Sequence, residues 1–410
     1  MQYLKATQAW KITKGSGATV AVVDTGVASL PDTQGSLLPG ADFSGGTTTS
    51  SGNGQTDLDG HGTAMAVTIA GAGNVTTGLA PAAKILPVRI TLGEGESPDV
   101  LAAGIQYAIS QHASVINLSQ VVSSEDSTLT NAIQDALNSN VVVVAGTGNN
   151  GSSAVSYPAA YPGVVAVGAI DQSGSLWSDS DTGPQVTLTA PGVNIPQEDE
   201  TGAAVTGTGT SASTAYVSAT IALIRSAHPS WTVGQVIRDL IATADPATGQ
   251  TAGQHSDQYG YGIVDPLKAL QASAPNETSN PLLASAGSTA SATATATAGA
   301  TGGAGSTSTA SSSSSSTGLV IGIVVAVVVI ILIIVLIVVL SRRNRNRPGG
   351  PGAGGPGGGQ PPYGGQYPQQ NPYGQQQQQQ SPYQQQNPYG QPPQYSYPPQ
   401  NPQQGQPPQR

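Results

Sequence analysis

Between residues 19 and 270, short runs of Val, Ile and Ala alternate with stretches whose apolar positions recur every three to four residues. The short runs predict strands over 19–24, 85–90, 115–118, 141–145 and 164–168. They are continuous rather than alternating, as in strands buried on both faces. The longer stretches predict helices over 62–71, 98–110, 127–139, 211–227 and 232–242. Strands taking turns with helices fold as an α/β domain, a parallel sheet covered by helices. Such sheets carry their sites beyond the carboxyl ends of the strands. A first domain is therefore expected over residues 1–270.

Beyond it the pattern changes twice. Residues 271–318 are mostly Ala, Ser, Thr and Gly, with Glu277 the one charge. That composition cannot bury enough apolar surface to fold, so a disordered linker is expected, with a coil span of ~35–40 Å. Residues 319–340 follow, 22 positions of which 20 are Val, Ile or Leu. As a helix they reach about 33 Å, enough for a hydrocarbon core of about 30 Å, and predict one transmembrane helix. Arg342, Arg343, Arg345 and Arg347 flank that run. They place the C-terminus in the cytoplasm and the first domain outside a cell membrane crossed once. The remainder of 341–410 is rich in Pro, Gly, Gln and Tyr, and Asn371-Pro372-Tyr373-Gly374-Gln375 recurs as Asn387-Pro388-Tyr389-Gly390-Gln391. It reads as a disordered tail, either inert or a ligand for proline- or tyrosine-reading partners. An outward domain needs export, and Met1-Gln2-Tyr3-Leu4-Lys5 is no basic-then-apolar leader. A signal peptide upstream of Met1 is the expectation.

Charge narrows the function. All 22 acidic residues lie at or before Glu277, beside eight basic ones, so this part carries −14 against −9 for the whole chain. Nucleic acid is excluded as a partner. Cysteine is absent, which removes disulfides, thiolate metal sites and cysteine nucleophiles.

Four polar residues stand out because each ends an element in a Gly-rich setting. Asp24 closes the first strand in Val23-Asp24-Thr25-Gly26. His61 has glycine on both sides in Asp59-Gly60-His61-Gly62-Thr63, unlike His112, His228 and His255. Asn149 follows the fourth strand in Gly148-Asn149-Asn150-Gly151, and Ser211 opens a helix in Gly209-Thr210-Ser211. Alone, each has a plainer explanation: an Asp-Thr-Gly or Asn-Asn-Gly turn, or a serine N-cap. Together they form an ordered set, each at an element end, a combination much less expected by accident than any one part.

With those motifs the chain resembles the subtilisin-like serine peptidases, or subtilases, over nearly all of residues 1–270. Asp24-Thr25-Gly26, Gly60-His61-Gly62-Thr63 and Gly209-Thr210-Ser211 are similar to the three triad motifs, in the order Asp, His, Ser. Gly78-Leu79-Ala80-Pro81, Tyr157-Pro158-Ala159 and Ala190-Pro191-Gly192 add to the likeness. The resemblance implies a subtilisin-like fold, a protein or peptide substrate, no cofactor and no metal in the chemistry. It implies a catalytic Asp24, His61 and Ser211, an oxyanion donor at Asn149, and a substrate cleft walled by Ser119, Gln120 and Val121. Three departures bear on specificity. Ala212-Ser213 and Ala215-Tyr216 stand where the family usually has Met-Ala and Pro-His. Gln120-Val121 stands for Leu-Gly and should crowd the cleft wall. Asp179-Ser180-Asp181 puts an acidic cluster in a loop. The layout of peptidase, linker and single C-terminal span, with Ala9-Trp10-Lys11-Ile12, resembles the mycosins, membrane-anchored subtilases of type VII secretion. That adds the membrane and components of a secretion apparatus as partners, although the long tail departs from mycosins.

Other readings are weighed beside this one. Asp24-Thr25-Gly26 is also the aspartic-protease tripeptide, with a second copy at Asp181-Thr182-Gly183. No apolar strand leads into that copy, and the α/β pattern disagrees with an all-β fold. A catalytically silent subtilase scaffold for a membrane assembly is a rival from another class. A surface-binding protein acting through its tail is a third.

Overall fold

The computed structural model describes residues 1–90, 97–122 and 124–283. Residues 272–283, the start of the predicted 271–318 linker, are packed rather than disordered, with Thr232, Gln235 and Arg238 donating to the carbonyls of Thr278, Pro275 and Ser279. The rest of that linker, the apolar run at 319–340 and the tail lie outside the described residues. Among the described residues no helix is long and apolar enough to cross a membrane.

Seven strands form one parallel sheet: β1 Thr19–Asp24, β2 Ala41–Asp42, β3 Lys84–Arg89, β4 Val115–Leu118, β5 Val142–Gly146, β6 Val165–Ile170 and β7 Val186–Pro191. Their order is β2-β3-β1-β4-β5-β6-β7. The hairpin of β8 Ile195–Glu198 and β9 Ala204–Gly207 stands apart as an antiparallel pair. The continuous apolar runs follow from covering both faces. In β1, Val20 and Val22 enter one core while Ala21 and Val23 enter the other. β5 divides likewise, with Val142 and Val144 opposite Val143 and Ala145.

One face is covered by α2 His61–Ala70, α5 Thr210–Ala227, α6 Val233–Thr243 and α7 Pro266–Gln271, through residues such as Ile69, Leu223, Ile237 and Leu270. The short α1 Ala6–Ala9 packs on the same side. The other face is covered by α3 Pro98–Ser110 and α4 Ser127–Asn138, through Leu101, Ile105, Leu129 and Ile133. α5 is buried along nearly its whole length, so it can be apolar or small on every side.

The sheet register levels the strand ends. Val22 pairs with Asn117, and Asn117 with Val144. Two residues further on, Asp24, Ser119 and Gly146 therefore share one edge. That edge carries the site.

Two carboxyls sit inside without adequate partners. Asp239 on α6 is 1% exposed, its Oδ2 has no hydrogen bond among the described residues, and burial pushes its pKa up to about 7. Glu198, 2% exposed, is pushed up to about 7 by burial and then by the charge of Asp32 beside it. Asp32 keeps its charge, at about 2, because the N–H groups of Asn74, Val75 and Thr76 offset its own desolvation. A carboxyl whose folded pKa is raised stabilises fully below the unfolded value, and that contribution is lost as pH rises through the folded value. The melting temperature is therefore expected to fall between pH 5 and 8, on the order of 5 °C. Asp239→Asn should flatten part of the fall. Calorimetry across that range checks this, and a melting temperature that rises with pH would contradict it.

Candidate active site

The site is built from three strand ends and two helix starts. Asp24 ends β1 with no solvent exposure, and its Oδ1 lies 2.8 Å from His61 Nδ1. The same oxygen accepts from Thr25 N–H at 2.8 Å, while Oδ2 is buried without a partner among the described residues. A carboxylate taken from water this completely costs several kcal/mol unless paired, and His61 is the pair.

His61 is the first residue of α2, after Gly60 at φ +92°. Gly62 lies so close to β1 that an added Cβ would come within 2.1 Å of the Gly26 carbonyl oxygen. Both flanking glycines are therefore needed to bring this helix start onto the strand end. Thr25 Oγ1 accepts from Gly62 N–H at 2.8 Å and tightens the joint.

Asp57 completes it, and the sequence pattern does not mark this residue. Its Oδ1 accepts from the N–H groups of Asp59 and Gly60, and its Oδ2 from Thr63 N–H and Oγ1. Burial alone would raise its pKa, but these donors hold it below the usual carboxylate range. Asp four residues before a helix-opening histidine was the available signal, as a carboxylate suits a helix N-terminus. For His61, desolvation lowers the pKa, but the charge and hydrogen bond of Asp24, then Asp59 and Asp57, outweigh it. The net direction is up.

Ser211 is not an N-cap. Gly209 occupies that position, Thr210 begins α5, and Ser211 Oγ instead donates to the Ser119 carbonyl at 3.3 Å. Ser119 Oγ returns a bond to the Ser211 carbonyl at 3.2 Å. Behind it, Asn117 Nδ2 donates to Ser119 Oγ and Ser218 Oγ donates to Asn117 Oδ1, each at 2.9 Å. This buried chain ties the serine's turn to the end of β4. No hydrogen bond joins Ser211 Oγ to His61 here, a common condition of a site without substrate.

Asn149 is exposed beyond β5. Its Oδ1 accepts from Thr210 N–H and Oγ1, both at 2.9 Å. A backbone N–H can only donate, so the amide orientation is fixed by chemistry and Nδ2 is left as the donor.

The cleft wall divides. Gln120 does not crowd it: the side chain turns inward, 9% exposed, with Nε2 3.4 Å from the Val23 carbonyl. Val121 is 52% exposed and does project. The acidic loop divides too, since Asp181 is 1% exposed and bonds to the segment after Asn149. This copy of Asp-Thr-Gly is a loop brace rather than a partner for Asp24.

A buried carboxylate holding an imidazole, a serine at a helix start and an oriented amide at one sheet edge define a serine hydrolase of the α/β kind. The chain belongs to the subtilases, and is a serine endopeptidase: the profile described as Subtilase family matches residues 15–262. It is 38% identical over 260 residues to the "Thermostable alkaline protease" of Halalkalibacterium halodurans, covering 63% of this chain and 68% of that protein. Among solved structures it is similar to MycP1 with the N-terminal propeptide removed, at TM-score 0.59 and 30% identity, covering 67% of this chain and 97% of the other. It is also similar to the MycP3 protease from the type VII (ESX-3) secretion system, at TM-score 0.55 and 31% identity, covering 66% and 86%.

Proposed function

We propose that this subtilase is a membrane-anchored, outward-facing endopeptidase acting through Asp24, His61 and Ser211, with a place in type VII protein secretion. The observation that carries the chemistry is the 2.8 Å contact from Asp24 Oδ1 to His61 Nδ1. It holds the imidazole with its proton on Nδ1, so Nε2 is free to act as base. Ser211 Oγ leaves the Ser119 carbonyl and attacks the peptide carbonyl carbon while its proton passes to Nε2. The oxyanion takes hydrogen bonds from Asn149 Nδ2 and the Ser211 N–H, and the helix start adds its dipole. The tetrahedral intermediate breaks its C–N bond, His61 protonates the leaving amine, and water then hydrolyses the acyl ester by the same steps. Because the base must be neutral, kcat/KM rises with pH through the raised pKa of His61.

Anchoring draws its support from the sequence: the apolar run at 319–340, the arginines after it and the linker at 271–318. We infer that residues 1–270 are the peptidase domain and 341–410 a cytoplasmic tail. The secretion role draws support from the likeness to MycP1 and MycP3. The absence of cysteine permits a clean test of topology. Single cysteines are introduced as Ser285→Cys in the linker and Ser381→Cys in the tail, and intact cells are treated with a membrane-impermeant maleimide. Labelling at 285 and protection at 381 are expected; labelling at both, or at 381 alone, would refute the orientation.

A further inference from the structure

We propose that Asp181 is a positioning residue for the oxyanion site: its buried carboxylate holds the loop around Asn149 so that the amide meets the developing charge. The inference rests on the reading of Asn149 as oxyanion donor and adds to it a residue in a separate loop.

Asp181 Oδ1 accepts from Asn150 N–H at 3.0 Å and from Ser152 N–H at 2.7 Å, the first and third residues after Asn149. Oδ2 accepts from Ser156 Oγ at 3.3 Å. On the other side of Asn149, Asp181 N–H donates to the Gly148 carbonyl at 3.0 Å. Gly148 has φ +117°, and a Cβ there would come within 2.0 Å of Asp181 Oδ2. The neighbouring backbone adds Gly151 N–H to the Asp179 carbonyl and Thr182 N–H to the Ser152 carbonyl, both at 2.8 Å. Asp181 thus grips the chain on both sides of Asn149, with its backbone N–H before it and its carboxylate after it, while Thr210 grips the amide oxygen.

These two anchors divide the work. Thr210 sets which way the amide faces, and Asp181 sets where its backbone stands relative to α5. Asn149 and Asn150 are exposed, so without the carboxylate the freed Asn150 N–H can turn to water and the loop can drift. A catalytic group misplaced by about 1 Å loses about 10²-fold in rate. Charged acceptors bind N–H groups roughly twice as strongly as neutral ones, which favours a carboxylate over an amide at this position.

The test is a double-mutant cycle on the full chain, reading kcat and KM for hydrolysis of a p-nitrophenyl ester. Asn149→Ala is expected to lower kcat by about 10²–10³. Asp181→Ala in the native background should lower kcat by about 10–100-fold with KM little changed. In the Asn149→Ala background the same change should cost less than about 3-fold, since there is no amide left to misplace. Equal losses in both backgrounds, or a folded Asp181→Ala enzyme with native kcat, overturn the proposal. An Asn149→Ala enzyme with native kcat removes the oxyanion reading as well, which separates the two failures. If Asp181→Ala does not fold by circular dichroism, Asp181→Asn takes its place. A loss of about 3–10-fold that disappears without Asn149 supports the proposal. An unchanged kcat, or a loss that persists without Asn149, overturns it.

Discussion

Replacing Ser211 with alanine is expected to lower kcat for ester or peptide hydrolysis by about 10⁶, the size of loss seen in subtilisin itself when its serine is removed. The structure gives the reason for so large a fall. Ser211 Oγ stands in the first turn of α5, where the helix dipole favours developing negative charge. The proposed oxyanion donors, Asn149 and the N–H of residue 211, survive the substitution, so a residual rate about 10³–10⁴ above water should persist. KM should change little, because the hydroxyl makes its decisive bond in the transition state. Fold should be unaffected: the bond lost, to the Ser119 carbonyl, is long, and Ser119 Oγ still reaches the carbonyl of residue 211. Melting temperature and steady-state kinetics on the same preparations separate these effects. A variant that retains more than a hundredth of native kcat would place the nucleophile elsewhere.

Asp24→Ala is expected to cost about 10⁴ in kcat, less than the serine because the base and nucleophile remain. Its signature is in the pH profile. Desolvation lowers the pKa of His61, and the charge and hydrogen bond of Asp24 are the leading influences that raise it. Removing Asp24 leaves desolvation dominant, so the acidic limb of kcat/KM should move to lower pH while the plateau falls. A lower plateau with an unmoved limb would mean that Asp24 acts on the fold rather than on His61. Thr25 N–H and His61 Nδ1 converge on one oxygen of Asp24. Asp24→Asn can keep both contacts through its amide oxygen and should therefore fall less than Asp24→Ala.

Much of this architecture was legible because its signals are local. The apolar runs of β1, β4 and β5 predict their strands to within a residue, since burial on both faces leaves few polar positions, Asn117 inside β4 being satisfied by Ser119 and Ser218. The glycines around His61 are legible for a similar reason, as close backbone contact admits nothing larger. β7 was not legible: Thr187 and Thr189 interrupt its apolar pattern, yet both are buried and satisfied by distant groups, the Ala166 N–H and the Gly262 carbonyl. The β8–β9 hairpin is short, polar and partly exposed, so no run marks it. The bracing roles of Asp57 and Asp181 were not legible because most of their partners are backbone N–H groups, which every sequence has and none displays. Gln120 faces inward through a bond to the Val23 carbonyl on another strand, a contact set by sheet order.

The most direct test of an activated serine is fluorophosphonate labelling of the full chain at neutral pH, beside Ser211→Ala and His61→Ala. The account predicts covalent labelling of the native protein at Ser211, none in Ser211→Ala, and labelling in His61→Ala slowed to near the rate of an ordinary serine. Absence of labelling in a folded native protein, or labelling that survives Ser211→Ala, would contradict it.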